Sequence, residues 1–252
     1  MHVNGLSIRR FPSPAAAART LARDVARELT RKPALVLGLP TGRTPVPFYA
    51  ELAALYAQGR ADFSQAKTFN LDEFLGLHRD DPHSYRAFMQ RHLFDHVNLS
   101  ARRIDFLDGA ADDAEAECLR YERRIARAGG LDLLILGLGV NGHIGFNEPG
   151  RALTAATHRT RLTAATRRSN VALFERRLHD VPREALSMGM GTILRARRIV
   201  LLATGAGKAR TVKRMVCGAI SPALPASFLQ LHAAVEVWVD GAAGAALSAS
   251  AT

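Results

Sequence analysis

Cysteine is almost missing: Cys118 and Cys217 are the only two in 252 residues. Two thiols about a hundred residues apart supply neither a disulfide framework nor a thiolate metal site, so a reducing compartment is the default. Long apolar runs are missing too. Hydrophobic residues make up 48% of the chain, enough for a sizeable core. Yet no run approaches the roughly 20 residues that span a bilayer. The opening M-H-V-N-G-L-S-I-R-R-F lacks the apolar stretch of a secretory signal. These absences lead to the expectation of a cytoplasmic protein without a membrane partner. Histidines are dispersed, so no metal site is expected either.

Lysine is scarce, with Lys32, Lys67, Lys208 and Lys213 the only four among 34 basic residues. The formal charge is nevertheless +11 and the isoelectric point about 10.7. The arginines are scattered, often as pairs such as Arg9-Arg10, Arg102-Arg103 and Arg167-Arg168. There is no basic block or tail, and no nucleic-acid-binding motif. Net charge alone gives only non-specific attraction to nucleic acid. An anionic small molecule is the expected partner, and nucleic acid is not.

What is present is alternation. Short apolar runs at 34–39, 67–71, 131–137, 198–203 and 235–239 read as strands. Between them, 15–31, 46–58, 84–97, 111–128 and 208–216 place apolar residues at three- and four-residue spacing, as amphipathic helices do. Strands alternating with helices predict a three-layer α/β fold, a mainly parallel Rossmann-like sheet with helices on both faces. No repeat or linker interrupts it, so residues 1–252 read as a single domain. Its Ala-, Gly- and Ser-rich tail, 241–252, is expected to be flexible or a short terminal helix. In such sheets ligands collect at the carboxyl ends of the strands.

Four strand-end loops carry candidate chemistry. Pro40-Thr41-Gly42-Arg43-Thr44-Pro45 offers hydroxyls and a helix N-terminus for an anion; an ordinary turn capped by Thr44 is the plainer alternative. It is not a Walker loop. In Asn70-Leu71-Asp72-Glu73 the two carboxylates should point to opposite faces, so only one meets a ligand. Taken alone, that pair reads as a helix-capping Asp and a solvated Glu. G-L-G-V-N-G-H-I-G-F-N-E (137–148) places His143 where a dinucleotide fingerprint wants its third glycine. Imidazole suits proton transfer near neutral pH, and Glu148 is close enough in a loop to bond one ring nitrogen. Gly205-Ala206-Gly207-Lys208 sets a cation at a helix start, which opposes the helix dipole and invites an anion.

Together these segments resemble the glucosamine-6-phosphate deaminase (isomerase) family. The matching pieces are L-P-T-G-R-T-P (39–45), T-F-N-L-D-E-F (68–74), S-Y-x-x-F-M (84–89), G-L-G-V-N-G-H-I-G-F-N-E-P (137–149), G-x-G-T (189–192), G-A-G-K-A (205–209) and P-A-S-F-L-Q-L-H (225–232). The related 6-phosphogluconolactonases share the fold but lack F-N-E after the G-H pair. The resemblance implies conversion of an amino sugar phosphate to fructose 6-phosphate and ammonia, with no metal or organic cofactor. It implies that His143 moves a proton at the ring oxygen, that Glu148 and Asn141 hold its tautomer and orientation, and that Asp72 shuttles a proton from C2 to C1. Thr41, Gly42, Arg43, Thr44 and Lys208 would grip the phosphate. Since the family contains monomers and hexamers, a homo-oligomer stays open.

The chain departs from the family pattern in two places. The family's phosphate-binding arginine falls at Ala172, and Arg43, where some members have Gly or Ser, is expected to substitute. Some bacterial members are activated by N-acetylglucosamine 6-phosphate; Arg151, Ala152, His158 and Thr160 do not reproduce that effector site, so no activation is expected. Galactosamine 6-phosphate is the alternative substrate. A 6-phosphogluconolactonase or a non-catalytic sugar-phosphate sensor would fit less of the motif set.

Overall fold

The computed structural model describes residues 1–250. Its strands are β1 (His2–Val3), β2 (Leu6–Phe11), β3 (Val36–Leu39), β4 (Lys67–Asn70), β5 (Asp72–Phe74), β6 (Ile104–Asp105), β7 (Leu133–Gly137), β8 (His158–Arg161), β9 (Glu184–Ser187), β10 (Arg198–Ala203) and β11 (Val235–Asp240). Its α-helices are α1 (Pro14–Arg31), α2 (Val46–Ala57), α3 (Tyr85–His92), α4 (Ala114–Arg127), α5 (Ala164–Asn170), α6 (Met190–Leu194) and α7 (Ala209–Cys217). Eight strands form one sheet in the order β1-β2-β11-β10-β7-β3-β4-β6. All of its pairings are parallel except β1 with β2.

The central strands are apolar on both faces because both are covered by helices. On β7, Leu134 and Leu136 join one core and Leu133 and Ile135 the other. The first core includes Tyr121 and Ile125 from α4 and Val212 and Met215 from α7. The second holds Leu21 and Val25 from α1 and Phe48 and Leu52 from α2. That period of two is the strand's own geometry, and it gives the three-layer α/β fold expected from the alternation. The chain builds outward from β3 to β4 and β6, then returns to place β7 on the other side of β3. The sheet's direction of growth therefore reverses between β3 and β7. Their carboxyl ends flank a crevice, and the 40–45 and 137–148 loops leave from its two sides.

Four elements differ from the sequence reading. Strand β2 pairs along β11 although Arg9-Arg10 interrupts it before Phe11; its buried apolar residues are only Leu6 and Ile8. A second, antiparallel sheet of order β5-β9-β8 lies beside the main one. It packs a separate core of Phe74, Tyr85, Phe146, Leu162, Phe174, Val181 and Ala185. The helix expected over 84–97 ends at His92, with a 3-10 turn at Phe94–His96. Finally, part of the tail expected to be flexible is packed. Asp240 accepts from the Ala243 amide at 2.7 Å, and Ala243 and Leu247 sit in the core beside α7. A 3-10 helix follows at Ala245–Ser250, and residues 251 and 252 of that tail lie outside the described residues. Among the described residues, no helix is long and apolar enough to cross a membrane.

Candidate active site

Asp72 and Glu73 open β5, immediately after the main-sheet strand β4. Both are buried, on opposite faces of the strand. The plainer sequence reading is a capping Asp and a solvated Glu; in the structure Glu is the cap and neither is solvated. Glu73 accepts from the amides of Phe74, Tyr85 and Arg86, each at 2.8 Å, and so caps α3 from across the chain. Asp72 caps nothing: its Oδ1 is buried without a hydrogen-bond partner. Burial, then the Glu73 charge, raise the Asp72 carboxyl to about 8, while the Thr41 hydroxyl pulls the other way. A carboxyl in that range is a usable base near neutral pH.

The 137–148 loop supplies the imidazole. His143 lies flat on Gly139, whose missing side chain leaves the ring its place: a methyl there would stand 2.5 Å from ring atoms Cγ, Nδ1 and Cε1. The loop closes on itself through Gly139 N to His143 O at 3.0 Å and Gly142 N to Gly139 O at 3.0 Å. Leu224 packs over Gly142, and Ala226 donates to the Gly142 carbonyl at 2.9 Å. So the P-A-S-F-L-Q-L-H stretch braces this loop from behind.

Glu148 is near His143 but not bonded to it. Its Oε2 is 3.8 Å from His143 Nδ1, which has no hydrogen-bond partner. Asn141 does not touch the ring: its Nδ2 donates to Glu148 Oε2 at 2.9 Å, and its Oδ1 accepts from the His143 amide at 3.2 Å. Asn141 therefore fixes the carboxylate and the backbone together. The other oxygen of Glu148 accepts from Thr163 at 3.3 Å and from Thr166. Burial lowers the His143 pKa, Glu148 raises it and Lys208 lowers it. The carboxylate facing Nδ1 favours the proton on that nitrogen, which leaves Nε2 bare to accept one.

Two cations complete the crevice. Arg43 is exposed on the turn before α2, and Lys208 starts α7. They are close enough that Arg43, after burial, lowers the Lys208 pKa. Neither has a carboxylate partner among the described residues. Pro45 occupies the α2 cap position with no side-chain hydrogen bond, so Thr44 is not a cap; Pro47 has no N–H and the Val46 amide donates to the Arg43 carbonyl at 3.4 Å, so the α2 terminus offers an anion little. Two neighbouring cations without carboxylate partners make a site that favours an anion. Ala172 is exposed in a 3-10 turn at Val171–Phe174 and offers no charge. Among the described residues, no three His, Cys, Asp or Glu side chains are grouped to hold a metal ion.

The residues expected to carry catalysis or grip the phosphate lie on loops or edges around one crevice: Thr41, Gly42, Arg43 and Thr44 after β3, Asp72 on β5, Asn141, His143 and Glu148 after β7, and Lys208 after β10. Sequence reasoning missed Thr163, Thr166 and Tyr85. The Tyr85 hydroxyl donates to Asn170 Oδ1 at 2.9 Å, tying α3 to α5. Thr163 carries a helix-cap signal that marks α5, but nothing local links it to a carboxylate 15 residues away.

Fold and crevice together define a doubly wound α/β protein with a candidate acid–base site at the topological switch point. The profile of the family described as "Glucosamine-6-phosphate isomerases/6-phosphogluconolactonase" matches residues 13–238, and the chain belongs to this family. It is 49% identical over 223 residues to a glucosamine-6-phosphate deaminase of Halothermothrix orenii, covering 88% of this chain and 92% of that one. It is 46% identical over 222 residues to one of Clostridium perfringens, covering 88% and 91%. The solved structure of a monomeric glucosamine-6-phosphate deaminase superposes with a TM-score of 0.92 at 40% identity, over 96% of this chain and 100% of that one. A 6-phosphogluconolactonase from Trypanosoma cruzi, 17% identical with a TM-score of 0.77 over 96% and 97%, shares the fold alone.

Proposed function

We propose that the chain, acting as one domain in the cytoplasm, converts glucosamine 6-phosphate to fructose 6-phosphate and ammonia. The observation that carries this reading is a buried Asp72 carboxyl with an unpartnered oxygen, sharing one crevice with the His143–Glu148 pair and two unpaired cations. The relatives named as deaminases support the substrate.

The phosphate sits between Lys208, Arg43 and the Thr41–Thr44 turn. His143 Nε2 takes the proton from the anomeric hydroxyl and returns it to the ring oxygen as the C1–O5 bond breaks, leaving the open-chain aldehyde. Glu148 stabilises the transient imidazolium. Asp72 then removes the C2 proton, the electrons pass to the aldehyde oxygen, and a C1–C2 enolamine forms. Asp72 returns the proton to C1, which leaves an iminium at C2. Water adds there, and ammonia departs with the C2–N bond. A single buried carboxyl serves both carbons because it is held in place rather than solvated.

The test is to incubate the protein with glucosamine 6-phosphate and, separately, galactosamine 6-phosphate, and to measure ammonia and ketose phosphate. Ammonia from the glucosamine ester is expected. Release from the galactosamine ester alone would reassign the substrate, and none from either would overturn the reading.

Two more outcomes follow from particular residues. Arg43→Ala should raise KM about 10- to 100-fold with little change in kcat, since a charge-assisted contact contributes about 1.5–3 kcal/mol. An unchanged KM would remove Arg43 from the phosphate site. Adding N-acetylglucosamine 6-phosphate should leave the rate unchanged, because Arg151, Ala152, His158 and Thr160 do not reproduce the effector site of the activated family members; a tenfold-scale activation would contradict that.

A further inference from the structure

We propose that Thr166 is a positioning residue for ring opening: its buried hydroxyl, in the first turn of α5, holds the Glu148 carboxylate at Nδ1 of His143. This rests on the reading of His143 and Glu148 as the pair that opens the sugar ring. The two oxygens of Glu148 are held from different sides. Oε2, the one 3.8 Å from His143 Nδ1, accepts from Asn141 Nδ2 at 2.9 Å, within the same loop. Oε1 accepts from Thr166 Oγ1, and Thr163 Oγ1 stands 3.3 Å away. A carboxylate fixed at one oxygen can still swing about that contact. Fixed at both, it keeps Oε2 on the imidazole.

Thr166 is only 2% exposed, so water does not compete for its hydroxyl. A threonine hydroxyl in a helix commonly turns back to the carbonyl four residues earlier. Thr20 and Thr30 of α1 do so, at 2.8 and 3.1 Å. Thr166 instead donates away from its own helix, to a side chain 18 positions earlier. Thr163 cannot replace it. Its single hydroxyl proton has two acceptors in reach, Glu148 Oε1 and Thr166 Oγ1 at 3.2 Å. Its oxygen is already the α5 cap, accepting from the Thr166 amide at 3.2 Å. The helix that carries Thr166 is anchored on two sides. Asn170 accepts from Tyr85 of α3 at 2.9 Å, and Arg167 donates to the Leu178 carbonyl at 2.7 Å and the Val181 carbonyl at 2.9 Å. The charged groups facing His143 are Glu148 and Lys208. Thr166 adds no charge, so its effect on the imidazole runs through the place it gives Glu148.

The experiment compares Thr166→Val, which removes the hydroxyl and keeps the shape, with Thr166→Ser, which keeps the hydroxyl. In Thr166→Val, kcat/KM for ammonia release should fall about 10-fold or more, and Thr166→Ser should restore most of it. Ser169→Ala is the control for a loosened helix, since Ser169 Oγ donates to the Thr166 carbonyl at 2.8 Å and does not touch Glu148; it should leave kcat/KM near the wild type. In a Glu148→Ala background, Thr166→Val should cost no more than about 2-fold further, because two changes that act through one group do not add. The same loss with and without Glu148, or an equal loss in Ser169→Ala, would make the role of Thr166 merely structural and overturn the proposal. A second readout does not depend on turnover. Nitrogen-15 NMR of the His143 ring should show the proton mainly on Nδ1 in the wild type, and a larger share on Nε2 in Thr166→Val. An unchanged balance would overturn the proposal whatever the rates. A wild type that released no ammonia would instead sink the proposed function, while the ring tautomer would still report whether Thr166 places Glu148.

Discussion

Asp72→Asn is expected to abolish ammonia release and C2 proton exchange, with a fall in kcat of about 10²- to 10⁴-fold, the range of a positioned acid–base group. Binding of the sugar phosphate should survive, since the anion site lies on other loops. Fold stability should move the other way. The folded protein holds the Asp72 carboxyl at about 8, against 3.8 for an unperturbed one, so it binds that proton more tightly than the unfolded chain does. Ionising Asp72 therefore costs stability progressively as pH rises from about 4 to about 8. Asparagine removes that penalty. The variant should melt above the wild type at pH 8, and the difference should shrink toward pH 4. Thermal melts across that range check it. Persistent C2 exchange would show that another group is the base, and an equal or lower melting point at pH 8 would show that the carboxyl is not strained there. The prediction places Asp72 among residues that a fold retains against its own stability for the sake of chemistry.

Gly139→Ala carries the second large effect. Gly139 is not among the glycines with positive φ, so alanine is allowed by the backbone. The obstacle is contact: the new methyl would meet imidazole atoms at 2.5 Å, where carbon pairs ordinarily rest at about 3.5–4 Å. The ring must shift by about 1 Å, and a displacement of that size costs about 10²-fold in rate. Ring opening would be the step affected. The measurement is kcat/KM for ammonia release beside a melting curve: a loss near 100-fold with the fold intact supports the account. A variant with wild-type kcat/KM would mean that His143 has room to move without consequence.

Much of this architecture was legible residue by residue. Strands β3 and β7, and β10 after Arg198, are continuous apolar runs because helices cover both of their faces, while β11 keeps the pattern apart from Glu236 and its terminal Asp240. The β5-β9-β8 sheet was not legible. Its edge strand is His158-Arg159-Thr160-Arg161, which carries no apolar alternation and is held by pairing with β9. The tail after Gly241 also misled, since small residues that look flexible in sequence are what pack closely beside α7. At the crevice, alternation along β5 correctly separated Asp72 from Glu73 but could not say which one was engaged. Two of the three amides bonded to Glu73 come from a helix starting 12 residues later, beyond any local pattern.

The chain's residue types and spacing settled the chemistry available: which strand-end loops carry a carboxyl, an imidazole and a lysine, and that a parallel sheet would gather them at one end. These are local properties, decided by periodicity and by what each side chain can ionise or donate. Packing settled the rest. It left Asp72 unpartnered and Glu73 bound, seated His143 on the bare backbone of Gly139, filled the oxygens of Glu148 with Asn141, Thr163 and Thr166, and brought Arg43 toward Lys208 across the switch point. Desolvation and charge–charge energy depend on distances between segments remote in sequence, so the basicity of Asp72 exists only once the chain has closed around it.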